Sequence, residues 1–325
     1  MIITRSPLRI TLGGGGTDLP SYYKKNEGFT LSAAINKYVY ISIHKTFQKG
    51  FFLKYSIFEK KKKIGQIKHP LIRETLKEVK FKNDNLEIGS QADIPAGTGL
   101  GSSASFTTAL LKGLYLSQDK DISKNQLAEL ASKIEINNLN EPVGKQDQYI
   151  ATYGGIKVFH FLKNGKVKIS KNIIKKEYIK ILEKKLLLFF TGFSRKSAAI
   201  LKEQNDKIKD NNKEMINNLD FIKDLGIKSL KSIQKGNLDE FCRIMNEHWL
   251  FKKKRSKKMS NSFINSCYDY ALLNGAKAGK IVGAGGGGFL MFYSDNKKKL
   301  QNALKKKIIE IDFKFDYEGT KIMVR

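Results

Sequence analysis

No apolar run in the 325-residue chain is long enough to cross a membrane. The two longest, Leu186–Phe190 and Phe289–Tyr293, are the length of a strand, whereas a spanning helix needs about 20 residues. Cysteine is nearly absent. Cys242 and Cys267 stand alone, without metal-type spacing, which argues against both a disulfide framework and a structural zinc site. The four histidines, His44, His69, His160 and His248, form no cluster either. The opening Met1-Ile2-Ile3-Thr4-Arg5-Ser6-Pro7 has neither the basic start nor the apolar stretch of a signal peptide. A cytoplasmic protein with no membrane contact is the expectation. Arginine is scarce as well. The net charge of +29 invites a nucleic-acid reading, yet only seven of the 60 basic residues are Arg. Readers of nucleic acid favour Arg for bidentate contacts. The lysines run the length of the chain, with concentrations at Lys60–Lys63, Lys252–Lys258 and Lys297–Lys307, and are expected to form a solvated surface. Nucleic acid is therefore not an expected partner.

The apolar content is that of a globular protein, and the length suits two lobes or one large body. Ile2–Leu12 reads as a strand ending in four glycines, and Tyr38–Ile43 alternates with the period of a strand. Phe51–Tyr55, Leu86–Ser90, Ile156–Phe161 and Leu186–Phe190 are further strands. Ser102–Leu116 reads as a buried helix. Ser123 and Gln126 form a capping box opening a helix to about Leu139, with Glu129 and Lys133 as an i,i+4 pair. The second half carries amphipathic helices over Ser197–Gly226, Lys228–Gln234, Leu238–Phe251 and Asn261–Asn274. A strand–turn–strand follows over 280–293, and a last strand near Ile311–Tyr317. Regular βαβ alternation is missing, so the fold class is α+β. The expected division is an N-terminal lobe of residues 1–170 carrying the phosphate loop and a C-terminal substrate lobe of 171–325.

Three glycine-rich loops carry the chemistry. In Pro95-Ala96-Gly97-Thr98-Gly99-Leu100-Gly101-Ser102-Ser103-Ala104-Ser105, glycines at alternate positions let backbone N–H groups turn towards a ligand. The helix that follows offers its positive end to phosphate. A plain turn would not need so many hydroxyls. No Walker sequence occurs. Gly99-x-Gly101-x-x-Ala104 matches a relaxed dinucleotide pattern, but no clear strand leads straight into it and no strand-terminal acid follows. The second loop is Leu12-Gly13-Gly14-Gly15-Gly16-Thr17-Asp18, where Asp18 is free to bind sugar hydroxyls. The third, Gly283-Ala284-Gly285-Gly286-Gly287-Gly288, precedes a strand rather than a helix. It therefore fits a loop beside the site or a bulged hairpin.

In this order the segments Ser6–Asp18, Pro95–Ser105 and Lys280–Phe289 resemble the motifs of the galactokinase, homoserine kinase, mevalonate kinase and phosphomevalonate kinase (GHMP) family. The opening loop, Glu141–Tyr149 and Gly283–Phe289 are most similar to its branch acting on D-glycero-D-manno-heptose 7-phosphate. The resemblance spans almost the whole chain. It implies a two-lobed fold, with an N-terminal lobe like domain 2 of ribosomal protein S5 and a ferredoxin-like C-terminal lobe. The activity implied is ATP-dependent phosphorylation of the C1 hydroxyl of the heptose 7-phosphate. Family members acting on L-fucose and galactose leave an unphosphorylated sugar as the alternative, and a non-catalytic sugar-binding relative as another.

The resemblance also assigns roles. Residues Pro95, Gly97, Gly99, Leu100, Gly101, Ser102, Ser103, Ala104 and Ser105 would wrap the ATP phosphates. Ser103 (or Ser102) with Glu135 would hold Mg²⁺. Asp147 would accept the proton of the attacking hydroxyl. Arg9, where many members carry Lys, would stabilise that carboxylate and offset charge on the γ-phosphate. Gly15, Gly16, Thr17, Asp18, Gly285 and Gly286 would meet the sugar. A phosphorylated substrate needs a second anion site, for which Thr191–Ser197 with Arg195 is one candidate and Lys252–Arg255 the other. His248 and Trp249 read as packing residues. The expected partner is a small-molecule sugar phosphate, with a homodimer left open.

Overall fold

The computed structural model describes residues 1–170, 174–194 and 198–325. Its larger sheet is built on a long antiparallel pair, β1 (Ile2–Gly13) and β2 (Gly28–Lys45), joined through the glycine loop and helix α1 (Pro20–Asn26). The register shifts between Pro7 and Leu8, where proline has no N–H to give a ladder. The shift re-aims the residues that follow, including Arg9. Strand β2 is long enough for two further neighbours. Its N-terminal half pairs with β6 (Ile156–Phe161), which carries β7 (Val167–Ser170). Its C-terminal half pairs with β5 (Asn85–Ala92). Strand β3 (Gly50–Lys54) lies parallel to β5 and forms a hairpin with β4 (Phe58–Lys61). The last strand, β12 (Lys321–Val324), returns to pair with β1.

Helix α3 (Ser102–Ser117) packs against β1 and β2 and is buried nearly all round, as its small and apolar sequence dictates. It is flanked by α2 (Pro70–Glu78), α4 (Lys124–Lys133) and α5 (Gln146–Tyr153). Ser123 and Gln126 do form the capping box of α4. Instead of running on to Leu139, however, α4 widens into a π-turn over Ile134–Asn138. Nor do Glu129 and Lys133 pair with each other. Lys133 reaches Glu78 at 2.6 Å and Glu129 takes Lys145 at 2.7 Å, because tertiary partners are better placed than the neighbour one turn away.

The second sheet is antiparallel, in the order β11 (Ile309–Ile311), β8 (Leu186–Phe190), β10 (Phe289–Tyr293), β9 (Ala278–Ile281). The apolar runs of β8 and β10 are buried on both faces. Around them lie α6 (Lys176–Lys185), α7 (Ala198–Lys209), α8 (Lys213–Gln234), α9 (Leu238–Lys253), α10 (Ser262–Leu273) and α11 (Lys297–Leu304). The expected helix ending at Gly226 is instead broken at 210–212, where Asn212 caps α8. Gly226 sits in the interior of α8 for a packing reason. A Cβ there would meet the Gly14 nitrogen at 2.8 Å, so glycine lets the helix backbone rest directly on the end of β1. The expected strand over Ile311–Tyr317 is realised only at Ile309–Ile311, apart from a single bridge at Phe315. With one parallel strand pair among the described residues the fold is α+β, as expected. Among the described residues no helix is long and apolar enough to cross a membrane.

Candidate active site

A cavity of about 570 Å³ opens where the three glycine loops meet. The phosphate loop forms one wall. Gly97, Gly99 and Gly101 all hold left-handed backbone, with φ of 79°, 81° and 79°. This turns successive N–H groups to one side, as an anion nest requires. Gly101 is the N-cap of the 16-residue α3, so the helix dipole points the same way. Ala96, Gly97, Gly99, Gly101, Ser102 and Ser103 line the cavity. The other expected phosphate-loop residues support it from behind. Leu100 is buried and its carbonyl accepts from the Arg9 N–H (2.9 Å), Ala104 is buried, and Ser105 donates its hydroxyl to the Pro7 carbonyl at 2.7 Å. The carbonyl of Pro95 accepts from the Thr98 hydroxyl at 3.0 Å.

The β1 side delivers Arg9. Its Nε and Nη2 donate to the two oxygens of Asp147, at 2.7 and 2.6 Å, and Nη1 donates to the Gly99 carbonyl. The guanidinium thus ties the first turn of α5 to the phosphate loop through a bidentate fork. Asp18 sits behind this pair, its oxygens accepting from the N–H groups of Gly16 (3.2 Å) and Gln146 (3.1 Å). Burial, aided by the charge of Asp147, pushes its carboxyl up to about 6. Gly15 and Gly16 line the cavity beside it. Thr17 does not, its hydroxyl lying 2.8 Å from the carbonyls of both Gly14 and Phe29 and so bracing the loop.

Glu135 is carried in by the π-turn, a distortion often found where a helix serves a site. It is buried, accepts from Gln148 Nε2 at 2.8 Å and interacts with the Ser103 hydroxyl. Desolvation dominates and raises its carboxyl to about 7.

Loop three serves the site mainly from behind. Val282, Gly283 and Ala284 line the cavity, while Gly285 and Gly286 pack on Met259. A Cβ on Gly283 would meet the Gly99 carbonyl oxygen at 2.3 Å, and one on Gly288 the Thr98 carbonyl oxygen at 2.0 Å. These glycines let the loop press against the phosphate loop.

One part of the cavity was not visible as a site in the sequence, and another was visible only in part. At one end His69 stacks on Phe106 (5.0 Å, 17°) and meets the edge of Tyr55, beside Val39 and Ala92. The Pro70 that starts α2 marks His69 as a cap, and its Nδ1 does accept from the Ile72 N–H, but nothing in the sequence marked its ring as a wall. Elsewhere on the wall lie Lys252 and Arg255, from the second candidate anion site, with His248 and Lys280, which the sequence did not mark as site residues; all four are buried. His248 faces the cavity rather than serving only as packing, whereas Trp249 is wholly in the core. Arg195 falls outside the described residues.

The sequence pattern of the GHMP kinases N terminal domain matches residues 68–155, and that of the GHMP kinases C terminal matches residues 229–310. A D-glycero-alpha-D-manno-heptose 7-phosphate kinase of Campylobacter jejuni is 31% identical over 98% of both chains. The solved structure of a D-glycero-D-manno-heptose 1-phosphate kinase from Bacteroides thetaiotaomicron superposes with a TM-score of 0.83 at 26% identity, covering 100% of this chain and 99% of that one. A Lactococcus lactis galactokinase complexed with galactose shares the fold, with a TM-score of 0.77 at 16% identity over 99% and 94% of the two chains. Relatives that match from end to end, and both halves of the family pattern in their proper order, place the chain: it belongs to the GHMP kinase family.

Proposed function

We propose that this GHMP kinase transfers the γ-phosphoryl group of ATP to the C1 hydroxyl of D-glycero-D-manno-heptose 7-phosphate, giving the 1,7-bisphosphate. The observation that carries the reading is the Arg9–Asp147 pair, fixed between the phosphate loop and the sugar-facing loop in one cavity. The aromatic wall at His69 and Phe106 suits the adenine ring. The nest of residues 96–103 suits the phosphates. As the sugar oxygen bonds to the γ-phosphorus, its proton passes to the Asp147 carboxylate. The bridging P–O bond breaks and its electrons leave with ADP. Arg9 holds the carboxylate in position and offsets the charge spreading over the transferred group.

The residues present also fit Mg²⁺. Glu135 is a buried carboxylate whose hydrogen-bonding partners among the described residues, Gln148 and Ser103, are neutral, and Ser103 is an exposed residue. Hard oxygen donors of this kind suit the ion, which takes its remaining ligands from phosphate and water. Ser103 and Glu135 would hold it, and it would supply charge neutralisation on the phosphates.

ADP release across a sugar panel tests the reading. The panel contains the heptose 7-phosphate, free heptose, mannose 6-phosphate, L-fucose and galactose, with Asp147→Asn as control. Turnover on the heptose 7-phosphate, reduced about 10²- to 10⁴-fold in the control, is the expected result. The solved heptose 1-phosphate kinase makes heptose 1-phosphate a necessary further substrate. Turnover on that alone would move the reacting hydroxyl away from C1.

A further inference from the structure

On the wall of the cavity three buried basic side chains converge from separate elements, and burial with the charges of their neighbours pushes Lys280 down to about 7 and Lys252 well below its ordinary value. Lys252 comes from the last turn of α9, Arg255 from the segment just after it, and Lys280 from β9; His248 lies one turn before Lys252 on the same helix face. They are 7%, 3% and 2% exposed, and His248 4%. Such burial is exceptional for charged side chains unless they are paired. Here they are not. Among the described residues, none of the three makes a salt bridge with a carboxylate within 4.0 Å, and each is held by neutral oxygens. Lys252 donates to the carbonyls of Ile281 (3.1 Å) and Gly283. Lys280 donates to the carbonyl of Leu12 (2.8 Å). Arg255 donates to Asn218 Oδ1 (3.0 Å) and the Gly15 carbonyl (3.1 Å). Donors remain over. An ammonium carries three N–H bonds, so Lys280 has two to spare and Lys252 one. Arg255 Nη2 and both ring nitrogens of His248 have no partner at all. Asp18 is the one carboxylate close enough to act on Arg255, and its own oxygens are taken by backbone N–H groups.

Burying several cations together without an anion costs stability, and apolar residues would pack the same space more favourably. The arrangement is explained if an anion from outside completes it. Its position says which anion. Arg255 and Lys280 are anchored to the sugar-facing loop at Gly15 and Leu12, whereas Lys252 is bonded to Gly283, whose loop presses on the phosphate loop, and lies within the field of Arg9, so it borders the reacting end. A Cβ on Gly16 would meet Arg255 Nη1 at 2.6 Å, and Gly16 in turn donates to Asp18, which lies within the field of Asp147 and Arg9. The cavity therefore runs from the nucleotide loop past Asp147 and Asp18 to Arg255. A sugar with one hydroxyl at Asp147 would lie over Asp18, with Arg255 next along the wall beside Gly15 and Gly16.

We infer that Arg255 and Lys280, with His248, form a subsite for a phosphate monoester on the sugar substrate, on the side of the sugar away from the phosphate loop. The inference rests on the sugar-kinase reading and adds to it the residues that select a phosphorylated substrate. Arg255 supplies a planar fork and Lys280 supplies a point charge. Anchored by neutral carbonyls, these groups are already in place before the anion arrives.

The subsite can be tested without turnover. Intact protein is saturated with a non-hydrolysable ATP analogue and Mg²⁺, so that the nucleotide phosphates are already in place. Heptose 7-phosphate and free heptose are then titrated by calorimetry. The phosphorylated sugar should bind about 100-fold more tightly, and Arg255→Gln and Lys280→Gln should each cut that ratio about 10-fold or more. The loss should appear in the dissociation constant of the sugar phosphate and not in that of the ATP analogue. Thermal melting guards against misfolding. With no anion bound, removal of an unpaired buried cation should leave the melting temperature equal or higher, while the rise produced by the sugar phosphate shrinks. A ratio that survives in both variants, or a loss confined to the ATP analogue, overturns the proposal. So does a wild-type protein that binds both sugars alike. If such a protein still turns over a free sugar in an Asp147-dependent way, the kinase reading stands and only the subsite falls.

Discussion

Replacing Arg9 separates geometry from charge at the centre of the site. All three of its guanidinium nitrogens have defined partners, two on Asp147 and one on the Gly99 carbonyl. Arg9→Met removes both bonds to the carboxylate and leaves Asp147 facing the cavity without its counter-charge. Charge-assisted bonds contribute about 1.5–3 kcal/mol each. The Asp147 side chain is 23% exposed and that of Arg9 7%, so water compensates part of the loss and the low end applies, about 3 kcal/mol. That is about a 10²-fold fall in kcat. Arg9→Lys keeps the charge and one bond to Asp147, at a cost of about 1.5 kcal/mol or tenfold. Initial rates of ADP release at saturating ATP and sugar measure both variants. The ordering is the test: wild type, then Lys, then Met, with KM for the sugar changing less than kcat. A Met variant within threefold of wild type would show that Asp147 does not need the guanidinium, and the assignment of Arg9 would fall.

Three further outcomes follow from burial and from contact. Glu135 ionises at about 7 in the folded protein against 4.5 ordinarily. Protons therefore compete with the metal below that pH, and Mg²⁺ affinity measured with nucleotide bound should fall about tenfold per pH unit below 7 and level off above it; Glu135→Gln should bind the ion weakly and without this pH dependence. The same shift sets a stability effect: a carboxyl raised by folding costs nothing below pH 4.5, the cost grows from 4.5 to 7, and it is constant beyond. In metal-free buffer Glu135→Gln should thus be the more stable protein at pH 8, by up to about 3 kcal/mol, with the advantage vanishing towards pH 4.5. At the loop contact, Gly283→Ala should lower stability by about 1–3 kcal/mol and raise KM for ATP, since the new methyl meets the Gly99 carbonyl at 2.3 Å and Gly283 has a φ of +70°. Chemical denaturation and nucleotide titration read the two effects, and an unchanged KM would mean that the loops do not support each other.

What could be read in the sequence depended on whether the signal was local. The Gly97–Gly99–Gly101 spacing and the capping box at Ser123 are written in a few adjacent residues, and both appear as expected. Arg9, Asp147 and Glu135 came only with the family resemblance, since a lone helical Glu is ordinarily a surface residue; the fold brings them together from β1, α5 and a π-turn that no periodicity announced. Gly226 misled for a physical reason. Inside a helix a glycine looks like a stop, and only the approach of β1 shows it to be a contact. The lysines misled more deeply. In a chain carrying 60 basic residues, charge alone cannot separate the few that are buried from the many that are solvated. Lys252 and Arg255 stood out only as one of two candidate anion sites, in a run that reads equally as an exposed face, and Lys280 lies in a strand where its neighbours are apolar. Burial turns the same side chain from a solubility device into a binding group, and burial is a property of the assembled lobes. The basic composition of the surface thus conceals, in plain sequence, which of its basic runs is buried at the cavity.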